Sequence, residues 1–403
     1  MKLQIYSYVF YPESFLINDM AFEMTQRGHD VEVSTSLPTY ESKGLRSGYS
    51  FWRGPFRETV RGAKILRFPA IPRGKGLGGL ALNYASNLLL GMLNAFRMDS
   101  TADVSLCFGV SPVFLATSAI LKKRIYGTPM VLWLQDPWPE TFAWVIGISE
   151  NHWLYKFLGH WMKWIYSHCD MIWIQSNAYK KHLERYGYAG PVHYVPNWAP
   201  ALIEDLNSEP LWVQDLPSDR FLLTFAGNVG KGQALDQLLE ALVDWKEKES
   251  LAVVIVGDGT ELNGLRDFAH AHRLSNVHFV GRKPLEDMAA LFQKSSALYV
   301  SLSNGPLSSM TVPSKLQTYM LAGKPVLAQL DGEGAEIINA AQCGRVGAPG
   351  DVSSLMKNLK ELVFLPKDQL KNLGKNAKMH YSQNFAGKVV LDRVEHLLKE
   401  VVK

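Results

Sequence analysis

The sequence holds few cysteines, three in 403 residues. Cys107, Cys169 and Cys343 are odd in number, lie far apart and form no Cys-x-x-Cys pair. This excludes a disulfide scaffold and a structural zinc site, and it fits a reducing compartment. The sequence also lacks HExxH, GxSxG and DxD. These absences count against zinc peptidases, hydrolases of the nucleophile-elbow type and enzymes that bridge a nucleotide through a metal ion.

Long apolar runs are missing as well. The opening MKLQIYSYVF is followed at once by Tyr11-Pro12-Glu13, so we expect no signal peptide. Leu77–Phe96 carries no charge over twenty residues, but it contains three glycines and three asparagines. Because a transmembrane helix is normally more apolar than this, we predict a core or interfacial helix here.

No strong excess of charge of either sign is present. The 42 Lys and Arg against 38 Asp and Glu give a net charge of +4, and 47% of residues are hydrophobic, which excludes disorder. The charge is uneven, since residues 1–198 carry +6 and residues 199–403 carry −2. Nine basic residues and one acid, Glu58, lie between Lys43 and Lys75. A basic half predicts an anionic partner: nucleic acid, a lipid head group or a phosphorylated substrate.

Short β-branched runs alternate with longer helical stretches along the chain. This pattern predicts parallel α/β layers, with seven strands before residue 196 and five after residue 220. Pro196-Asn197-Trp198-Ala199-Pro200 and the polar stretch after it mark a boundary. We therefore predict the α/β fold class with two doubly wound domains, 1–198 and 199–385, and a final helix within 386–403. Because ligands bind at the carboxyl ends of parallel strands, we expect the two sheets to share a cleft.

A glycine-rich turn follows the predicted strand that ends at Phe225. In Phe225-Ala226-Gly227-Asn228-Val229-Gly230-Lys231-Gly232-Gln233, glycines let backbone N–H groups approach a phosphate, and Lys231 adds a charge. The spacing is neither a Walker A motif nor GxGxxG. The alternative is a tight strand-to-helix turn with a solvated lysine.

A second candidate anion site begins at Thr311. Thr311 or Ser314 is expected to cap a helix, with Pro313 near its first turn and Lys315 beside it. The polar loop 301–310 precedes it, where a ligand loop is expected. A plain helix cap is the alternative. Two anion sites in one domain, both after strands, favour a diphosphate ligand.

The segment Gln135-Asp136-Pro137-Trp138-Pro139-Glu140 follows a predicted buried strand. Asp136 and Glu140 are candidate proton acceptors or hydroxyl ligands, and the tryptophan rings are candidates for stacking on sugars. The alternative is a turn at the strand end, with the tryptophans in the core.

A basic segment precedes the uncharged helix. Its cations suit an anionic membrane surface or a nucleic-acid groove, and a solvated charged face beside a core helix is the plain alternative. The basic residues are Arg46, Arg53, Arg57, Arg61, Arg67, Arg73 and Lys75.

Taken together, these segments resemble one family. The whole chain is similar to the GT-B-fold retaining glycosyltransferases of the group 1 superfamily, and most of all to the bacterial branch of L-fucosamine (N-acetylfucosaminyl) transferases of O-antigen and capsule assembly. This resemblance implies two Rossmann-like domains facing across a cleft, with the C-terminal helix returning to the N-terminal domain. The segments that carry it are YPESFLINDMAFEMTQRGHDVEVSTSLPTY, QDPWPE, FAGNVGKGQALDQLLEAL, VIVGDGTELNGL, VHFVGRKPLEDMAALFQKSSAL and VPSKLQTYMLAGKPVLA.

The resemblance implies a nucleotide-sugar donor, expected to be a UDP-sugar, held mainly by the C-terminal domain. The donor-phosphate loop of the family falls on Gly227, Asn228 and the residues after them. The usual Arg and Lys of that loop fall on Asn228 and Gln233, so Lys231 is the expected substitute cation.

The second donor site of the family normally carries a Glu-x7-Glu pair. The matching positions are Met310 and Thr318, and the segment Val312-Pro313-Ser314-Lys315 is expected at the diphosphate instead. Thr318, Gly257 and Arg282 complete the implied nucleotide-sugar contacts.

The family retains the anomeric configuration without a clear enzyme nucleophile, through a front-side, ion-pair-like substitution. The resemblance therefore implies that Lys231 and Lys315 stabilise charge on the departing β-phosphate. Asp136 is expected to orient the acceptor hydroxyl, and neither a metal ion nor another cofactor is expected. The implied acceptor contacts are Glu13, Asn18, Asp19, Trp138 and Glu140.

Residues 43–96 fit an acceptor saccharide linked to polyprenyl diphosphate. We expect peripheral contact with anionic lipid at the inner face of the cytoplasmic membrane, and no nucleic-acid partner. The expected reaction is transfer of a HexNAc or deoxy-HexNAc, such as L-FucNAc, in synthesis of a bacterial surface polysaccharide. The alternatives are a non-hydrolysing UDP-sugar epimerase, which shares the fold, and a nucleotide-binding pseudoenzyme, which the missing Glu pair suggests.

Overall fold

The computed structural model describes residues 1–40, 44–74, 76–200, 209–305 and 307–402. Lys43 and Lys75 of the basic segment lie outside these ranges. The chain divides into two compact units, one of Met1–Pro196 with Leu391–Lys403 and one of Asn197–Val390.

The first unit is an α/β layer around an eight-stranded sheet of the described residues, ordered β3-β4-β2-β1-β5-β6-β7-β8. Its strands are β1 (Lys2–Ser7), β2 (Asp30–Ser36), β3 (Arg57–Val60), β4 (Ala63–Phe68), β5 (Val104–Gly109), β6 (Met130–Leu134), β7 (Met171–Ile174) and β8 (Val192–Tyr194). Its helices are α1 (Leu16–Gln26), α2 (Gly76–Ala95), α3 (Ala116–Tyr126), α4 (Glu140–Ile146), α5 (Trp153–Ser167) and α6 (Tyr179–Arg185).

The central strands of this sheet are parallel and fully buried, as in β5 and β6. Helices cover both faces of such a sheet, so its strands are apolar along their whole length, and this made them recognisable in the sequence. Only the edge pair β3–β4 is antiparallel within the described residues. The sequence prediction missed β3, because its residues Arg-Glu-Thr-Val are mostly polar and partly exposed. The prediction of a non-spanning helix near 77–96 is confirmed as α2.

The second unit repeats the architecture with six parallel strands among its described residues, ordered β11-β10-β9-β12-β13-β14. The strands are β9 (Phe221–Ala226), β10 (Leu251–Val256), β11 (Val277–Gly281), β12 (Ala297–Ser301), β13 (Val326–Gln329) and β14 (Gly344–Gly347). The helices are α7 (Leu211–Gln214), α8 (Asp236–Val243), α9 (Leu262–Ala271), α10 (Met288–Lys294), α11 (Ser314–Leu321), α12 (Gly332–Ala341), α13 (Val352–Val363), α14 (Lys367–Asn384) and α15 (Gly387–Val402).

The sequence prediction also missed β14, because its four residues, Gly-Arg-Val-Gly, are half glycine. The core of this unit is continuous and includes Leu223, Val253 and Tyr299, one residue from each of three central strands.

Strand order locates the ligand-binding edge of each unit. In the second unit the order reverses between β9 and β12, and in the first it reverses between β1 and β5. Ligands of open α/β sheets bind outside the carboxyl ends of the strands at such a switch point. We therefore expect a ligand-binding site at the loops after β9 and β12 in the second unit, and at the loops after β1 and β5 in the first.

The end of α15 belongs to the first unit. Arg27 of α1 pairs with Asp392 at 2.7 Å and with Glu395 at 2.9 Å, and His29 lies 3.1 Å from Glu395. Hydrogen bonds from Lys399, Arg27 and His29 lower the pKa of Glu395 to about 2. This group of charges ties the last helix to α1.

Candidate functional site

The loop after β9 approaches other parts of the chain too closely for a side chain. Gly227 has a φ of +143°, and a Cβ there would overlap the Cε atom of Lys315. The hydroxyl of Tyr319 accepts a hydrogen bond from the Ala226 N–H at 3.0 Å and holds the end of β9. Sequence reasoning did not identify Tyr319, because its role depends on a contact across 93 residues.

The loop after β10 packs directly on this loop. Gly257 has a φ of +139°, and a Cβ there would overlap the Gly227 carbonyl oxygen. The Gly227 N–H donates to the Val256 carbonyl, and the Val229 N–H donates to the Asp258 carbonyl, both at 2.9 Å. We expected Gly257 to contact the donor. In the structure its backbone packs against Gly227 and supports the loop after β9.

Lys315 is the cation that the structure brings onto this loop. Its Nζ donates to the Gln233 side-chain oxygen at 2.6 Å and lies 5.1 Å from the centre of the Phe225 ring. Burial lowers the pKa of Lys315 to about 8. A phosphate oxygen beside this amine would favour its protonated form, so the arrangement suits an anion.

Lys231 has a different environment. It lies in the short 3-10 turn Lys231–Gln233, is exposed, and makes no ion pair within the described residues. The loop after β12 is fastened beside this turn, since Ser303 N–H donates to the Gly232 carbonyl at 2.9 Å and Ser301 Oγ donates to the Gln233 carbonyl at 2.5 Å. Lys231 can therefore reach a ligand from solvent, whereas Lys315 is already held in place.

Helix α11 begins at Ser314, and Pro313 occupies the cap position without a side-chain cap. The prediction that Thr311 or Ser314 caps this helix is wrong. Val312 and Pro313 are buried, and they precede the first residue of the helix. In the first turn of α11 the Leu316 N–H donates to the Pro313 carbonyl at 2.8 Å, and the N–H groups of Ser314 and Lys315 before it favour an anion there.

The remaining predicted donor contacts lie around this centre. Asn228 is exposed, with its amide nitrogen beside Gly230. Arg282 is exposed after the edge strand β11, two strands away from β9. Thr318 lies one turn into α11 and donates to the Ser314 carbonyl at 3.4 Å. The structure therefore brings Gly227, Gln233 and Lys315 together most closely.

In the first unit, Asp136 binds the loop after β5. One carboxylate oxygen accepts hydrogen bonds from the Ser111 N–H at 2.8 Å and the Ser111 hydroxyl at 2.7 Å. Burial raises the pKa of Asp136, and the bonds from Ser111 oppose this shift. No protein donor meets the other oxygen among the described residues. Asp136 thus lies near the switch point β1/β5 with one oxygen available.

Trp138 and Glu140 are bound within the first unit, and their role as acceptor contacts stays a prediction. Trp138 is 1% exposed, stacks on Phe142 and donates to Ser111 Oγ at 2.8 Å, so its ring lies in the core. The Glu140 carboxylate accepts a hydrogen bond from Tyr155 at 3.1 Å and lies 3.3 Å from His182. Burial opposes ionisation of Glu140, but the contact with His182 outweighs it and the pKa is lowered.

Two predicted residues after β1 shape their own loop. The Asn18 amide donates to the Glu13 carbonyl at 2.6 Å, and its oxygen accepts from the Tyr11 N–H at 3.0 Å. The buried carboxylate of Glu13 accepts from the Tyr40 N–H. The polar atoms of Glu13 and Asn18 bind the chain, and their role as acceptor contacts stays a prediction. Asp19 is exposed in the first turn of α1 and stays a prediction.

The basic segment does not form one continuous charged surface. Arg67 is fully buried, where it pairs with Glu58 at 2.6 Å. Arg46 donates to the Pro12 carbonyl at 3.0 Å, and Arg61 lies over the Phe22 ring. The exposed members of the segment are Arg46, Arg53, Arg57, Arg61 and Arg73.

The described ranges lack two features, a membrane-spanning helix and a metal-binding cluster. No helix in them combines the length and apolarity needed to cross a membrane. Nor do they contain a group of three or more His, Cys, Asp or Glu side chains placed to hold a metal ion.

Comparison with known proteins agrees with this geometry. Residues 16–198 match the glycosyl transferase 4-like domain, and residues 209–380 match the glycosyl transferases group 1. The chain is 23% identical to the putative colanic acid biosynthesis glycosyl transferase WcaI of Escherichia coli K12, over 91% of this chain and 93% of that protein. It is 25% identical to the probable glycosyltransferase WbjE of Pseudomonas aeruginosa, over 71% of this chain and 72% of that protein.

Among solved structures, Anabaena HepE in complex with UDP has a TM-score of 0.68 at 14% identity, covering 99% of this chain and 100% of that one. This likeness shows a shared fold, and the two parallel-sheet α/β units are those of GT-B glycosyltransferases. The chain belongs to the group 1 glycosyltransferases of the GT-B superfamily.

Replacing Gly257 with Ala tests the support of the donor loop. The added Cβ would overlap the Gly227 carbonyl and sit at a strained φ, so we expect a loss of about 2 kcal/mol or more from the opening free energy of β9 and β10 amides. Hydrogen exchange measures that energy. Gly264→Ala is the control, because a Cβ there meets nothing within 4 Å and favours α9. Equal exchange in the two variants would contradict the packing described here.

Proposed function

We propose that the protein transfers a sugar from a UDP-sugar to a polyprenyl-diphosphate-linked saccharide in the synthesis of a bacterial surface polysaccharide. The observation that carries this proposal is the Lys315 amine fixed on the bare backbone of Gly227, at the switch point of the second unit. The donor sugar we propose is a HexNAc or deoxy-HexNAc such as L-FucNAc, in keeping with the L-fucosamine transferase branch.

The names of similar proteins support the substrate class. WcaI is named for colanic acid biosynthesis. The D-rhamnosyltransferase WbpZ of Pseudomonas aeruginosa is 33% identical over 41% of this chain. HepE was crystallised with UDP and with UDP-glucose. These proteins act on or bind sugars and uridine nucleotides, and we extend that chemistry to this chain.

In the proposed reaction the bond from the anomeric carbon to the β-phosphate oxygen breaks, and the acceptor oxygen attacks from the same face. The departing UDP carries the new negative charge and takes up the acceptor proton. The Lys315 amine and the N–H groups of Ser314 and Lys315 at the start of α11 stabilise that charge, because they are oriented before the reaction begins. Lys231 closes over the diphosphate from solvent. No metal ion is needed in this scheme, and the anomeric configuration is retained.

Asp136 is the residue we propose to orient the acceptor hydroxyl. Its one free carboxylate oxygen accepts a hydrogen bond, while Ser111 keeps the other in position. Burial raises the pKa of Asp136, and the two hydrogen bonds from Ser111 oppose that shift. We propose peripheral contact with the inner face of the cytoplasmic membrane, where exposed Arg53, Arg57 and Arg73 meet anionic lipid.

The reaction itself is tested by nuclear magnetic resonance of the products. With a UDP-HexNAc and a polyprenyl-diphosphate saccharide we expect UDP release and a product with the donor's anomeric configuration. Asp136→Asn should lower kcat about 100-fold, because the amide does not accept the acceptor hydroxyl's hydrogen bond at the same strength. A changed UDP-sugar formed without acceptor would show the epimerase instead, and UDP binding without turnover would show the pseudoenzyme.

Donor binding is tested with Lys315→Met in a thermal-shift and calorimetric titration with UDP. A charged hydrogen bond to phosphate contributes about 1.5–3 kcal/mol, so we expect the Kd to rise roughly 10- to 100-fold. Lys231→Met should have a smaller effect on Kd, because that side chain is not held in place. Lys357→Met, on an exposed face of α13, is the matched control. An unchanged Kd in Lys315→Met would contradict the assignment.

The pH dependence of UDP binding gives a separate test. The free amine of Lys315 has a pKa of about 8 and the diphosphate favours its charged form, so binding takes up a proton above pH 8. Affinity should be full below pH 7 and fall as pH rises, by about tenfold between pH 7 and 9. Lys315→Arg keeps its charge and should lose this dependence. Equal wild-type affinity at both pH values would refute the role of this amine.

A further inference from the structure

Helix α2 packs with its polar side inward. Asn83, Asn87 and Asn94 are buried, and their amides bind neighbouring backbone or side-chain oxygens. Asn94 donates to Ser34 Oγ at 2.8 Å and to the Leu66 carbonyl at 3.1 Å, which fastens the helix to the sheet. Gly91 allows a close approach to Leu115. The helix is therefore attached through hydrogen bonds and small residues.

The outward side of α2 is apolar. Leu82, Leu89 and Leu93 are 59%, 62% and 63% exposed, and Phe96 just after the helix is 53% exposed. Their spacings of seven, four and three residues place them on one face. This arrangement is the reverse of an ordinary surface helix. Helix α2 has twenty residues and is about 30 Å long, so its exposed leucines form an extended apolar stripe. Exposed leucines on a monomer surface are usually scattered singly.

A second exposed apolar surface lies on α4 and α5. Trp153 is 70% exposed, and Trp144, Val145 and Phe157 are each at least half exposed. Helix α5 contains no acidic residue, and Lys156 and Lys163 are exposed on it. Tryptophan and lysine together are typical of surfaces that rest in the head-group region of a bilayer.

Packed aromatic rings connect α2 with α4 and α5. Tyr84 of α2 lies 6.4 Å from Phe142 of α4 and 6.4 Å from Phe114. Phe114 stacks on Trp161 of α5 at 4.1 Å, and Trp161 contacts Phe157. These ring contacts place α2 beside α4 and α5 in the same unit.

We infer that the outer face of α2 and the exposed rings of α4 and α5 insert into the interfacial layer of a lipid bilayer. The apolar area is framed by exposed cations, Arg73 and Arg97 at the two ends of α2 and Lys156 and Lys163 on α5, and these charges complement anionic head groups. The inference deepens the proposed function and rests on it, because a lipid-linked acceptor lies in a membrane. It differs from electrostatic attraction by the basic segment, because the side chains that insert are uncharged and exposed.

The full chain is tested by co-sedimentation with vesicles of phosphatidylcholine alone and of phosphatidylcholine with phosphatidylglycerol, at 0.1 M and 0.5 M NaCl. Apolar insertion resists salt, so we expect wild-type binding to persist at 0.5 M NaCl. Leu89→Ser with Leu93→Ser should lower the partition coefficient by about tenfold or more, because two leucines leave the bilayer. Trp153→Ala with Phe157→Ala should lower it severalfold.

Leu211→Ser is the control, since Leu211 is 78% exposed but lies in the second unit, and its binding should equal that of wild type. Loss of all wild-type binding at 0.5 M NaCl, or wild-type partition in the Leu89/Leu93 variant, would overturn the inference. So would a dimer in solution that the same variant dissociates, since a second copy would then cover α2. The UDP titration of each variant reports the donor site and the fold separately, so that failure of insertion and failure of donor binding are distinguishable.

Discussion

The candidate site depends on one contact, a lysine side chain laid against bare backbone. Lys315 occupies the space that a side chain on Gly227 would fill, and Gly257 brings a second loop against the same point. Burial removes water from the Lys315 amine and so disfavours its charged form, which lowers its pKa. A diphosphate would replace the lost water with charged oxygens. The cost of burying the cation is thereby converted into affinity for an anion, at the point where strand order reverses.

The same constraint explains how the surrounding loops are arranged. Gln233 holds the amine, the hydroxyl of Ser301 holds Gln233, and Tyr319 holds the strand end from which Gly227 leaves. The equivalent edge of the first unit is organised differently. There Asp136 and Ser111 bind each other, and Trp138 packs beneath them. One edge thus presents a cation and N–H groups, and the other presents a carboxylate, in keeping with a donor phosphate and an acceptor hydroxyl.

Polar residues in this chain often serve packing instead of chemistry. Asn18 and Glu13 fix a loop, Glu140 lies within a cluster with Tyr155 and His182, and the asparagines of α2 fasten that helix to the sheet. From the sequence, a polar side chain near a strand end is expected to be available to a ligand. In the structure these side chains bind other parts of the chain. On α2 the effect is largest, because polar groups on the inner side leave the leucines to face outward.

The sequence by itself determined the α/β class and most strands, because buried parallel strands are apolar along their whole length. It also identified the loop at Gly227 and the segment at Lys315, since glycine and lysine are informative at strand ends. Only the tertiary structure decided which cation is desolvated, because Gln233 meets Lys315 across 82 residues. The tertiary structure also decided that Arg67 is buried and that Trp138 lies in the core. It decided as well that the leucines of α2 face outward. Exposure and pKa are properties of neighbours brought together by folding, and the spacing of residues along the chain does not contain them.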